Sequence, residues 1–220
     1  MNTQTLTLDG ATLTRVGYTD VTIPREFLGL GADDFARAPW RSPLWTDGEN
    51  VRIGAAVWFA DVAGKRIAFD PFQAADSVLR ADRAAEEAHQ AAIARVLAET
   101  GFERESVDLG VVGTYADHEH IVPGVSADVR GAHGPGHALL HFGTGAAPLA
   151  TFLGHLAVSP LHLISGECSA LQEDPPAAWS LLQRTVEDAR LLIGPLWPTP
   201  GFGRWENGAF VAGGPRADHG

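Results

Sequence analysis

Apolar and polar positions alternate through the first segment, with Leu6 and Leu8 on one side of Asp9-Gly10 and Leu13 and Val16 on the other. A period of two about an Asp-Gly turn predicts a pair of strands. The signal recurs at Ile53 to Ala60 and Arg66 to Phe69, joined through Ala63-Gly64-Lys65, which predicts a second hairpin. The period then changes. Between 81 and 100, Ala85, Ala88, Ala92, Val96 and Leu97 fall at helical spacing, and Gly101 stands where a left-handed residue ends a helix. Val107 to Val112 is a short apolar run after that helix, the pattern of a buried strand.

Val125 to Val129, Ala138 to Phe142 and Ala150 to Leu153 read as further strands. A second helix is predicted to start at Asp174-Pro175, an N-cap followed by proline in the first turn. Its apolar stripe is Ala178, Leu181, Leu182, Thr185, Ala189, Leu192 and Ile193, and Gly194-Pro195 closes it. Gly201 to Val211 supplies a last strand. Strands, helix, strands, helix, strand is the order of an α/β (α+β) layered sandwich, expected as a single domain over 1–220. The stretch at about 24–50 breaks the pattern: it is irregular and rich in aromatics (Phe27, Phe35, Trp40, Trp45), so it packs on the body or covers a pocket.

Composition narrows the partners. The formal net charge is -11, which repels phosphate backbones and anionic lipid, so neither nucleic acid nor a membrane surface is expected. No stretch has the run of roughly 18 apolar residues that a membrane helix needs. The N-terminal residues lack a basic region followed by an apolar one, and Cys168 is the only cysteine; together these point to a cytoplasmic, reducing setting. Cys168 lies in no nucleophile signature and reads as an ordinary thiol. Basic residues are nearly all Arg, and Ala and Gly are abundant, a usage associated with bacterial genomes of high GC content. The oligomeric state is left open, a homodimer included.

Three landmarks, in order, resemble the metallo-β-lactamase fold superfamily. RIAFDPF, ending at Phe72, resembles the strand that ends in an Asp (here Asp70), and the helix and buried strand that follow match its sequel. AHGPGH at 132–137 resembles the Gly-His-Thr-Pro-Gly-His turn, whose last His, here His137, is a metal ligand in active members. ATFLGHLAVSPLHL resembles the strand whose Gly-Asp pair supplies a bridging Asp, here replaced by His155. The resemblance implies a shortened αββα sandwich. The departures are as informative. The family's His-x-His-x-Asp-His run, whose spacing seats two metals, is replaced by GTYADHEH at 113–120, and neither register restores it. The final ligand position falls at Leu196 or Trp197.

Seven of the nine histidines lie between 118 and 162. On the resemblance, His118, His120, His137 and His155 could converge with Asp117 as a rearranged site for one divalent ion (zinc, iron or manganese), or no metal binds. In a metal-free site Asp117, His118, His137, His155 and Tyr115 are the candidates for acid–base work, and a His beside a carboxylate is a competent base near neutral pH. The alternative reading of Tyr115 is a buried aromatic filling vacated metal space, and that of Asp70 a cap on its own turn. His133 and His141 read as structural, His89 and His219 as surface residues, and His162 as either.

Three functions stay open. One is a hydrolase-like enzyme on a small organic substrate of lactone or ester type, with its metal site rearranged or lost. The second is a metal-independent proton-transfer enzyme (isomerase, dehydratase or cyclase) of specialised metabolism. The third is a non-catalytic small-molecule binding protein. The concentration of histidines favours an enzyme, but fold alone does not choose.

Overall fold

A computed structural model describes residues 2–69, 83–101, 109–111, 120–129, 133–134, 137–145, 147–165 and 172–214. The first predicted hairpin is β1 (Asn2–Leu8) and β2 (Ala11–Pro24), paired from Leu8↔Ala11 outward. β2 bulges between Gly17 and Thr19 and then runs antiparallel to β4 (Asn50–Val62) along its whole length. β3 (Thr46–Asp47) adds to β4. β4 turns through Ala63-Gly64 into β5 (Lys65–Phe69), and β6 (Leu109–Val111) joins β5 in parallel. That parallel step needs a crossover, and α2 (Arg83–Thr100) lies within it, ending at Gly101 with φ 70°.

The second sheet runs β13-β12-β11-β10-β9-β8-β7. Its strands are β7 (His120–Val122), β8 (Val125–Val129), β9 (Ala138–Phe142), β10 (Ala150–Phe152), β11 (Leu192–Ile193), β12 (Phe202–Glu206) and β13 (Ala209–Ala212). Two short helices, α1 (Ala32–Arg37) and α3 (His162–Ser165), precede the longer α4 (Pro175–Asp188).

Alternation along each strand sends one set of side chains inward. Trp58, Phe69, Phe142, Phe152 and Phe202 meet between the two sheets, with edge contacts such as Phe69 on Phe142 at 5.4 Å. Burying one such ring contributes about 1.5–3 kcal/mol. On the outer face of the first sheet, Val57, Phe59 and Ala68 take Ile93, Val96 and Leu97 of α2. On the outer face of the second, Leu139, Leu153 and Leu192 take Ala178, Leu181 and Leu182 of α4. The layers are therefore helix, sheet, sheet, helix, as expected. Among the described residues no helix is long and apolar enough to cross a membrane.

Two expectations are corrected. The second helix stops at Asp188, and Leu192-Ile193 form a strand parallel to β10 instead of a further helical turn. The last strand is a hairpin, β12 and β13, folded through Asn207-Gly208. The aromatic stretch at 24–50 resolves toward packing: Phe35 and Trp45 are buried, and Trp45 lies edge-on to Trp197 at 6.1 Å.

One buried charge ties the first sheet to the loop between β11 and β12. Arg15 on β2 is 1% exposed; its Nη2 donates to the carbonyls of Trp197 (2.9 Å) and Gly54 (3.3 Å), and its Nη1 donates to Thr199 Oγ1 (3.1 Å). Burial lowers its pKa, and Asp20 opposes that.

Candidate functional site

β9 and β10 are antiparallel, with Leu140 opposite Phe152, so the start of β9 and the end of β10 share one edge of the second sheet. His137 stands just before β9. His155 lies just past β10, in the 3-10 turn Gly154–Leu156. The tight turn before β9, closed by His137 N–H donating to Gly134 O (3.1 Å), brings His133 to the same corner. The His133 ring stands edge-on to both His137 and His155, at 5.4 Å in each case. Two of the predicted site residues are thus brought together, and His133, read from sequence as structural, stands between them.

Hydrogen bonds fix how the rings present their nitrogens. A carbonyl only accepts, so His137 Nε2 carries the hydrogen it donates to Leu153 O (3.2 Å). His137 Nδ1 then bears the lone pair, and it is buried with no hydrogen-bond partner among the described residues. Gln172, also buried, donates its Nε2 hydrogen to His155 O (3.0 Å), which turns its Oε1 toward His133 Nδ1 at 3.2 Å. His133 Nδ1 is therefore the donor, and its Nε2 carries the lone pair. Glu173 N–H donates to His133 O (3.3 Å) and holds the same two segments together. Gln172 is a site residue that sequence reasoning missed. It lies 39 residues from His133, and no local pattern singles it out.

Burial is the main cause that lowers the His137 pKa to about 4; the neighbouring His133 lowers it further, the bond to Leu153 opposes, and His155 adds a smaller lowering. His137 is accordingly neutral at physiological pH and serves as an acceptor. Gly154 makes room for it: φ there is 53°, and a Cβ would stand 2.8 Å from His137 Nε2.

The remaining candidates separate. Tyr115, Asp117 and His118 lie outside the described residues, as does Asp70. His120 opens β7, opposite Ser126. His162 is fully buried, with Nδ1 accepting from Ser159 N–H (3.3 Å) and Nε2 bonded to Leu28 O (3.1 Å), so of its two readings the structural one holds. At the final ligand position, Trp197 is buried, and its indole N–H donates to Ala157 O (2.8 Å). Among the described residues no three His, Cys, Asp or Glu side chains are arranged to hold a metal ion. The imidazole trio alone therefore does not fit a metal centre.

No sequence family and no curated protein matches the chain. Solved structures do. A dizinc quorum-quenching lactonase, AidC, seen with the product N-hexnoyl-L-homoserine, superposes at TM-score 0.60 and 10% identity, covering 97% of both chains. A hydrolase of the β-lactamase superfamily, AbOPH, superposes at 0.58 and 10% identity over 94% of this chain and 95% of its own. A probable metal-dependent hydrolase from Staphylococcus aureus gives 0.59 and 9% identity over 85% and 89%. At these identities the likeness is one of fold.

Proposed function

We propose, from the metallo-β-lactamase fold of this chain and the imidazole cluster at its sheet edge, that it is a hydrolase-like enzyme acting on a small ester or lactone. The observation that carries the reading is the buried lone pair on His137 Nδ1, without a partner among the described residues, beside two further imidazoles. A buried acceptor without a partner is costly, on the order of 1–3 kcal/mol, and a site that binds a polar ligand is where such a cost is retained.

The roles divide by chemistry. With its pKa near 4, His137 is too weak a base to hold a proton at neutral pH, so it orients a water or a substrate hydroxyl through Nδ1. His133 takes the proton on Nε2, and the Gln172 oxygen on its Nδ1–H stabilises the imidazolium that forms. His155 borders the same cluster. His155 stands where the resembled motif has its bridging Asp, which supports a metal site that is rearranged or lost. The segment with Tyr115, Asp117 and His118 is the stretch proposed to complete the site.

The test is hydrolysis of a lactone and ester panel by the wild type, His137→Ala and His133→Ala, each before and after dialysis against a chelator. The expected result is turnover that falls by roughly 10²–10⁴ in both variants while their far-ultraviolet spectra are unchanged. Loss on chelation, with recovery on adding zinc, assigns the turnover to a bound metal ion. Insensitivity to chelator assigns the work to the imidazoles alone. No turnover anywhere on the panel, or turnover indifferent to both substitutions, refutes the proposal.

A further inference from the structure

A second polar site lies at the opposite end of β9 and β10. His141 is four residues beyond His137, about 13 Å along an extended strand. Ser126, His141 and Thr151 stand directly opposite one another across β8, β9 and β10, and Asp128 follows Ser126 on the same face. This is the face that α4 covers. Elsewhere under that helix it is Leu139, Leu153 and Leu192, as a helix-on-sheet layer requires. Here the row is polar, and the layers stand apart around a recess of about 570 Å³ that is open on one side. That volume lies within the range of small-molecule sites.

The recess is built, not merely vacant. His141 Nδ1 is 2.9 Å from Thr151 Oγ1, and its Nε2 faces Asp128 Oδ2 at 3.9 Å, so hydroxyl, imidazole and carboxylate form a fixed line across the floor. The wall is the end of α4, where Arg184 and Asp188 line the recess one helical turn apart. Neither makes an ion pair with any described residue, although the spacing would let them pair with each other. The last turn of α4 holds Glu187 and Asp188 and no basic residue, against the preference set by the negative end of the helix dipole. A cation seated there relieves that arrangement, and Arg184 beside it supplies an anion subsite.

We propose that this recess binds a small amino acid as its zwitterion. The ammonium lies between Asp128 and Asp188 at the helix end, the carboxylate lies on Arg184, and the side chain lies over Ser126 and Thr151. No step of the hydrolysis proposed above involves it.

The test titrates the protein with the common α-amino acids, and with n-butylamine and butyrate as single-charge controls. Binding is read by calorimetry and by amide shifts at Ser126, His141 and Thr151. At least one amino acid is expected to saturate with Kd below about 1 mM. Binding is expected to weaken roughly tenfold or more in Arg184→Gln and in Asp188→Asn. Both positions are exposed, so unfolding midpoints stay at the wild-type value and isolate the binding effect. Three results each overturn the proposal: no amino acid shifting those amides at about 20 mM, either control binding as tightly as the amino acid, or both variants binding like the wild type.

Discussion

Acid should weaken the fold through His137, and the size of the effect follows from its surroundings. The ring has a pKa of about 4 when folded and an ordinary value near 6.5 when the chain is unfolded. Between those values the unfolded chain binds the extra proton, so folding stability rises with pH across that window and falls as the medium is acidified through it. Linkage then gives a loss of about 2 kcal/mol at pH 5 relative to pH 8, growing to about 3 kcal/mol at pH 4. Replacing His137 with Gln removes the titrating group. Urea unfolding of the wild type and His137→Gln from pH 8 to pH 4 isolates the contribution, because carboxylates and the deeply buried His162 act alike in both proteins. The wild type should lose about 2 kcal/mol more than the variant between pH 8 and pH 5. The imidazole proton resonances of His137 should also titrate well below those of a free histidine. Parallel stability curves, or a His137 resonance titrating near 6.5, would show that the ring is hydrated and that the argument from its burial is mistaken.

Two further substitutions probe the same corner. Gly154→Ala places a Cβ against His137 Nε2 at a backbone φ of 53°, and should cost about 1–3 kcal/mol in chemical denaturation while displacing the His137 resonances. Gln172→Leu leaves the His155 carbonyl and His133 Nδ1–H without their partner; a loss of about 1–3 kcal/mol is expected, together with a changed tautomer signature for His133 in nitrogen NMR, whereas Gln172→Glu should keep the His133 bond.

The strands were legible because their chemistry is local. Leu6, Leu13 and Val16 alternate about Asp9-Gly10, and the structure pairs them in that register. Asp174 caps α4 by accepting from Ala177 N–H, as the Asp-Pro signal implied. The error at the end of α4 has a physical origin: Ala189, Leu192 and Ile193 continue the helical spacing, and a two-residue strand is too short to display a period of its own. At the site, His137 and His155 could be named from the motifs they resemble, because each sits beside a recognisable strand. His133 reads as structural from sequence, since nothing local reveals that its ring reaches His155. Gln172 was invisible for the same reason, being brought in by tertiary contact alone. Pocket chemistry on α4 was hidden by periodicity: Arg184 and Asp188 look like an ordinary solvated face until Ser126 and His141 are seen beneath them.

The Arg15 latch has a consequence for the order in which this chain matures. Translation delivers the guanidinium 182 and 184 residues before its acceptors on Trp197 and Thr199. At about 5–20 residues per second the interval on the ribosome is on the order of ten seconds or more. Throughout it the guanidinium of the nascent first sheet has Gly54 O within reach but neither Trp197 O nor Thr199 Oγ1, and water must stand in for both. Completion of the sandwich is thereby timed to the arrival of the loop between β11 and β12, and a nascent chain stalled before residue 197 should be sensitive to protease at the β2 strand where the released chain resists.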